Sequence, residues 1–318
     1  MNNVSKSLWI IGAGQMAQDY AKCLNFMKVD YSVIGRGNKS AKIFKKKLNI
    51  PIFTGGLEKN IKKHKIPLTA IVAVGVQDLK KITEILIKKG IKKILLEKPG
   101  GVNYREIKNL YSLAKKKKCK IYIAYNRRFY SSVLKLKKLL NKNNKILNIY
   151  FDFSEWSHII KKINKDKKVK SHWLLANSSH VIDLAFYLSG KPNHKKFFSR
   201  GKLDWHKSSS SFCGAGVTKK NIIFSYNSDW ISPGRWGIDV MTKKYRYILR
   251  PIEKLKYVEK GSIEMKDIYM DDKFDMIFKP GLFLQLKNFL NGNFKELCSL
   301  REQVDNMKIY SEIAGYKI

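Results

Sequence analysis

The run Gly12-Ala13-Gly14-Gln15-Met16-Ala17 stands directly after an apolar, β-rich segment, residues 7–11, and opens a helical pattern over 16–25. Few folds accept that order. Gly12 permits a tight turn, Gly14 lets a bound group approach the backbone, and small Ala17 lets the helix pack close to a sheet. The helix start offers free N–H groups and the positive end of its dipole, a seat for phosphate. A second β-rich run at 31–34 follows at the usual distance, which makes the segment a dinucleotide-binding fingerprint with Gly12, Gly14, Gln15 and Met16 as candidate contacts. The plain alternative is a glycine-rich turn that binds nothing.

The alternation continues. β-rich runs at 31–34, 68–74, 93–96 and 120–124 are separated by amphipathic helical stretches that include 39–48, 78–89 and 104–117. This predicts a doubly wound parallel sheet, a Rossmann domain over residues 1–125. After residue 125 the rhythm changes. A helical stretch at 131–140 and a long β pattern at 146–156 lead into a Lys-rich loop around 161–170, then a helix at 173–189. Strands at 197–205, 209–217, 221–227, 236–241 and 245–249 follow without helices between them, so residues 126–318 read as an α/β domain with a large, mostly antiparallel open sheet. Helices at 281–290 and 300–314 close the chain, and the last can pack back on the Rossmann domain.

Where an acidic residue past the second strand would accept the adenosine ribose hydroxyl, the sequence reads Gly35-Arg36-Gly37-Asn38-Lys39-Ser40. Arg36, with Lys39 and Ser40, suits a 2′-phosphate instead, which favours NADP over NAD. At the end of the run 93–96 stands Glu97-Lys98-Pro99, and residues just past the carboxyl ends of such strands face the ligand cleft.

With these residues the chain resembles the glucose–fructose oxidoreductase and inositol dehydrogenase family (Gfo/Idh/MocA), whose hallmark is an EKP segment after a Rossmann fingerprint. Further similarity lies in Tyr125-Asn126-Arg127-Arg128-Phe129, Ser179-His180-Val181-Ile182-Asp183-Leu184 and Ile309-Tyr310-Ser311-Glu312-Ile313-Ala314-Gly315. The resemblance implies an NAD(P)-dependent oxidoreductase acting on a sugar or cyclitol hydroxyl. It also implies a second domain whose open sheet forms the substrate floor and an oligomer face, hence a homodimer or homotetramer. Lys98 takes the place of the lysine that touches the substrate oxygen and the nicotinamide ribose, with a cis bond to Pro99; Glu97 and Pro99 join it at the cofactor, and His180 takes the place of the proton donor and acceptor. A histidine near neutral pKa suits proton transfer at an oxygen whose carbon exchanges hydride, and a lysine cation stabilises the developing alkoxide. Asp183, three residues on, shares a helix face with His180 and can support the ring. One departure stands out. Many family members carry an Asp four residues before the histidine, where this chain has Ala176, followed by Asn177; this leaves open a cofactor-binding protein without turnover.

Asn126, Arg127, Arg128, Asn177, Asp183, Trp173 and Arg235 are the candidate substrate contacts, since aromatic faces stack on rings and arginines bind anionic groups. The pattern is similar to family members encoded with bacterial surface-polysaccharide pathways, which points to a nucleotide-linked or modified sugar.

Composition narrows the alternatives. The formal charge is +39, yet its 64 cations divide into 55 Lys and 9 Arg spread over nearly every segment, unlike the clustered arginines of a nucleic-acid reader. No specific nucleic-acid partner is expected. Hydrophobic residues at 44% support a buried core. The four cysteines lie far apart without a CxxC pair, so no metal site is drawn. No stretch reaches membrane-spanning length and no signal-peptide pattern opens the sequence, so a cytoplasmic protein is expected.

Overall fold

The computed structural model describes residues 8–140 and 144–318; Ser7, the first residue of the expected opening strand, lies outside them. The chain forms two compact units, one reaching to Tyr125 and including Ile277–Asp305, the other comprising Asn126–Met276 and Asn306–Ile318.

In the first unit, β1 (Leu8–Ile11), β2 (Tyr31–Ile34), β3 (Ile52–Phe53), β4 (Thr69–Val72), β5 (Lys93–Leu96) and β6 (Lys120–Ile123) are all parallel, in the order β6-β5-β4-β1-β2-β3. β1 is buried along its whole length and β4 and β5 along all but their first residue, as a sheet covered on both faces demands. The chain moves outward from β1 in one direction through β2 and β3, and in the other through β4, β5 and β6. Right-handed crossovers then place the connecting helices on opposite faces. Accordingly Leu79–Lys88 packs with Tyr104–Lys116, while Gln15–Phe26 packs with Leu282–Leu290.

In the second unit, β7 (Asn148–Asp152), β8 (Pro192–Arg200), β9 (Ser211–Thr218), β10 (Ile223–Asp229), β11 (Gly237–Met241), β12 (Tyr245–Leu249), β13 (Lys256–Glu259) and β14 (Lys266–Asp267) form one sheet in the order β14-β13-β12-β11-β7-β10-β9-β8. Every pairing is antiparallel except β7 with β10. The helix Ser179–Ser189 packs on β7 and is buried at nearly every position. Rings of Phe151, Phe153, Phe186, Phe224 and Tyr226 interlock in the core beneath it.

Three local expectations change. The strand expected at 197–205 runs Pro192–Arg200, paired along its length with β9. The Lys-rich loop contains two short helices, Ser157–Lys162 and Lys167–Ser171; the Asp166 carboxylate caps the second by accepting from the Lys168 N–H. The helix expected from 173 starts as a π-helical turn, Leu174–Ser178, a form concentrated at functional sites.

At Ile277 the chain returns to the first unit, which an unbroken domain over 126–318 did not foresee. β15 (Cys298–Ser299) pairs antiparallel with β6 and completes a seven-stranded sheet. Phe278 and Phe283 pack against Phe26, so apolar contacts hold this returning segment to helix Gln15–Phe26.

Candidate functional site

The parallel strands of the first unit end on a common line. Beyond it, the Gly12 N–H donates to the Ile34 carbonyl at 2.9 Å, Ala73 to Ile11 at 2.8 Å, Glu97 to Val72 at 2.9 Å and Ala124 to Leu96 at 2.9 Å. The glycine turn and the Glu97-Lys98-Pro99 segment therefore leave the same edge, two strand spacings or about 10 Å apart. Gly12 has φ +127°, and a Cβ there would stand 2.2 Å from the Ala73 carbonyl oxygen, so only glycine fits. At Gly14 a Cβ would meet nothing within 4 Å. No side chain caps the following helix, so the N–H groups of its first turn, including Gln15 and Met16, stay available beside that open space. A phosphate-sized anion fits this cradle sterically and electrostatically.

The Gln15 side chain donates to Asp19 at 2.9 Å, and Lys279 donates to the Met16 sulfur at 3.1 Å. Arg36 is 85% exposed, 3.7 Å from the Asp78 carboxylate. Lys39 and Ser40 lie in the first turn of helix Asn38–Leu48, which carries no acid, and the Ser40 hydroxyl donates to the Gly37 carbonyl at 3.1 Å. Beyond β2 there is thus a cationic turn.

Glu97, a candidate at the cofactor, has a partner within the first unit. Its carboxylate accepts the Tyr20 hydroxyl proton at 2.7 Å in the interior, tying β5 to helix Gln15–Phe26. Burial raises the Glu97 carboxyl above its usual range, against the lowering influence of Tyr20, Lys98 and Lys279, and raises the Tyr20 hydroxyl too. Lys98 is half-buried, and its bond to Pro99 is cis. The buried Gln303 amide donates to the Pro99 carbonyl at 2.9 Å and to the Tyr125 hydroxyl at 3.0 Å, locking the segment after Lys98. Gln303 and Tyr20 carried no sequence signal, because each acts through a partner far along the chain.

In the second unit, Asn126–Phe129 is a short 3₁₀ turn. Its two arginines separate. Arg128 is buried and forms a bidentate pair with Asp183, Nε to Oδ2 at 2.8 Å and Nη2 to Oδ1 at 2.6 Å. The Tyr310 hydroxyl adds a 3.4 Å contact to Oδ1. Both residues were expected at the substrate; here they brace the His180 helix against the turn. Arg127 instead lies with its guanidinium carbon 4.6 Å from the Trp236 ring and 5.7 Å from Tyr130. Asn126 is buried and bonds to Tyr130. The Trp173 indole packs edge-on against Trp205, and Trp205 stacks on Trp230, placing Trp173 in an aromatic cluster of the core.

Beside Arg235 stands a buried carboxylate that belongs to none of the sequence motifs. Glu155 is 2% exposed, and its Oε1 accepts the Asn177 amide at 2.8 Å and the Ser178 hydroxyl at 2.7 Å, while its Oε2 meets Arg235 at 3.1 Å. Burial raises its carboxyl pKa; these donors oppose the rise. Glu155 thus holds the π-helical turn, including the region of Ala176, one turn ahead of His180. The buried His180 ring lies 6.2 Å from Trp236. An acid at a strand end, beside Trp156 in a chain with 25 acids, was the available clue.

A profile of the oxidoreductase family with an NAD-binding Rossmann fold, the Gfo/Idh/MocA family, matches residues 6–125. The match spans the first unit's parallel strands and stops at Tyr125. The matched segment contains the parallel sheet, the glycine turn and the Glu97-Lys98-Pro99 segment, and in these it is similar to the NAD-binding domain of that family. No curated protein matches the chain by sequence. Among solved structures, a protein of Desulfitobacterium hafniense assigned as an NADPH-dependent oxidoreductase superposes with a TM-score of 0.80 at 13% identity, over 98% of this chain and 95% of that one. An oxidoreductase of Agrobacterium radiobacter, in complex with NAD+, L-tartaric acid and magnesium, gives 0.76 at 11% identity, over 97% and 95%. The UDP-N-acetylglucosamine 3-dehydrogenase of Acidithiobacillus ferrooxidans gives 0.73 at 10%, over 98% of both chains. At these identities the likeness establishes a shared fold across both units. Among the described residues, no helix is long and apolar enough to cross a membrane.

Proposed function

We propose that this chain is a cytoplasmic oxidoreductase of the Gfo/Idh/MocA kind that uses NADP in preference to NAD and acts on a hydroxyl or keto carbon of a sugar, in nucleotide-linked or modified form. The observation that carries the reading is the shared strand edge in the first unit, where the phosphate cradle at Gly12 and Gly14 and the segment bearing Lys98 emerge together. A bound nicotinamide dinucleotide supplies or accepts the hydride. Gly12, Gly14 and the N–H groups of Gln15 and Met16 hold its pyrophosphate, and Arg36, Lys39 and Ser40 hold a 2′-phosphate.

Lys98 presents its ammonium to the substrate oxygen and stabilises negative charge there. Glu97 and Pro99 act by fixing Lys98, the one through Tyr20 and the other through Gln303. His180 accepts the hydroxyl proton in oxidation and returns it in reduction. In this reading Asn177 and Asn126 serve as substrate hydrogen-bonding groups, Arg128 and Asp183 brace the His180 helix, and Trp173 is part of its aromatic support. The nucleotide-sugar activity of one structural neighbour supports the substrate class. The open face of the second sheet, where Phe198 and Ile223 are exposed, supports a homodimer or homotetramer.

Turnover of NADP+ and NADPH against a panel of free and nucleotide-linked sugars tests the reading. Lys98→Ala and His180→Ala should each abolish turnover while cofactor binding persists; full activity in either removes the mechanism. Cofactor binding without turnover on any sugar would favour a non-catalytic protein, the alternative that Ala176 raises.

A further inference from the structure

Arg127 and Arg128 are neighbours in one turn, yet only one has an acid. Arg128 is matched by Asp183. Arg127, among the described residues, makes no side-chain hydrogen bond and no ion pair; it rests on the faces of Trp236 and Tyr130. Burial pulls its guanidinium pKa down, and the nearby Arg235 pulls it further, while Tyr130, Glu253 and Glu155 pull it up. A ring face offsets only part of what a guanidinium loses on leaving water.

Arg235 compounds the imbalance. Its guanidinium carbon lies 4.6 Å from the same Trp236 ring and 4.9 Å from Trp156. Two cations therefore share one indole. Of the two acids whose charge Arg127 feels, Glu253 and Glu155, neither is in an ion pair or hydrogen bond with it, and Glu155 already accepts from Asn177 and Ser178 on one oxygen and from Arg235 on the other.

The arrangement is rigidly built. The Trp156 indole donates to the Gly234 carbonyl at 3.1 Å, and Arg250 donates to the Arg235 carbonyl at 3.1 Å. Asp229 accepts the backbone N–H groups of Ile231 and Ser232 at 2.7 and 2.9 Å, and its own N–H donates to Ser154 at 3.0 Å. Trp156 is 50% exposed and Arg235 46%, so the row Arg127–Trp236–Arg235–Trp156 leads from the interior to solvent. Such fixed, cross-tied side chains suit recognition rather than a solvated surface.

We propose that Arg127 and Arg235, arrayed on Trp236, form an oxyanion-binding subsite that reads a carboxylate or phosphate carried by the sugar substrate. The planar guanidinium fork matches either group, and an oxyanion neutralises the two cations that share the ring. With His180 6.2 Å from Trp236, the anionic group is read beside the group proposed to move the proton. This inference rests on the oxidoreductase reading and narrows its substrate to an anionic sugar.

The test is calorimetric titration of the full chain, saturated with NADP+, using glucose, glucuronate and glucose 1-phosphate as probes, with NADP+ affinity measured separately. The expected result is binding of at least one anionic probe about tenfold or more tighter than glucose, a preference that Arg127→Met abolishes and Arg127→Lys partly retains. Preference for glucuronate identifies a carboxylate as the recognised group, and preference for glucose 1-phosphate a phosphate. Arg127→Met should not lower the melting temperature, because it removes an unmatched charge; Arg128→Met should lower it, because it strands Asp183. Equal affinity for glucose and both anions, no binding of any probe, an intact anion preference in Arg127→Met, or a lower melting temperature for that variant overturns the subsite. Loss of NADP+ binding in the unaltered protein would instead overturn the oxidoreductase reading.

Discussion

Replacing Glu155 separates its hydrogen-bonding role from its charge. In Glu155→Ala, the buried Ser178 hydroxyl and the half-buried Asn177 amide lose their acceptor. A buried unsatisfied group costs about 1–3 kcal/mol, and the partly exposed Asn177 less. The ion pair with Arg235, which is 46% exposed, adds only about 0–1 kcal/mol after screening. The sum, about 3 kcal/mol, corresponds to a fall of roughly 6–12 °C in the melting of the second unit. Glu155→Gln keeps one oxygen to accept from both Asn177 and Ser178 and loses the charge and the acceptor for the half-exposed Arg235, so it should cost about 1 kcal/mol near neutral pH.

Their pH dependence has a defined sign. Burial raises the Glu155 carboxyl, so the folded chain holds that proton more tightly than the unfolded chain. Stability from this group is complete below the ordinary carboxyl value of about 4.3 and declines as pH rises through the higher folded value. Glutamine cannot titrate, so Glu155→Gln should gain on the native protein as pH rises from about 5 to 8. Calorimetric melting of the three proteins at both pH values decides the matter. Equal destabilisation by alanine and glutamine, or a glutamine variant that loses ground as pH rises, would falsify the reasoning.

His206 is buried, with Nδ1 donating to the Ser209 carbonyl and Nε2 accepting from Tyr316, and burial lowers its pKa to about 4. Because the folded state prefers the neutral ring, roughly 3 kcal/mol should be lost as pH falls from about 6.5 to 4; His206→Phe should flatten that acid limb in denaturant titrations. Gly12→Ala should abolish NADPH binding in a fluorescence titration, since its Cβ would stand 2.2 Å from the Ala73 oxygen; unchanged affinity would remove the cradle. Arg36→Ala should raise KM for NADPH about tenfold and leave KM for NADH nearly unchanged, and a native preference for NADH would sink the 2′-phosphate assignment.

Features set by a few consecutive residues were legible in the sequence. The Gly12 turn is one, because positive φ and the lack of space for a Cβ select glycine at that position. The strand–helix rhythm is another: buried parallel strands need unbroken apolar runs, and the segments between them carry helical periodicity. Short edge strands such as β3 and β15 escaped, since two residues carry no pattern. What tertiary structure alone decided is which charges have partners. Arg127 and Arg128 are chemically identical neighbours; Asp183, 55 residues beyond Arg128, matches one, while Trp236 and Arg235 leave the other facing a ring and a second cation. Glu155 and Gln303 gain their roles from Asn177 and Pro99, 22 and 204 residues away. Burial and charge balance are sums over everything nearby in space, and the order of residues along the chain names only the nearest terms of those sums.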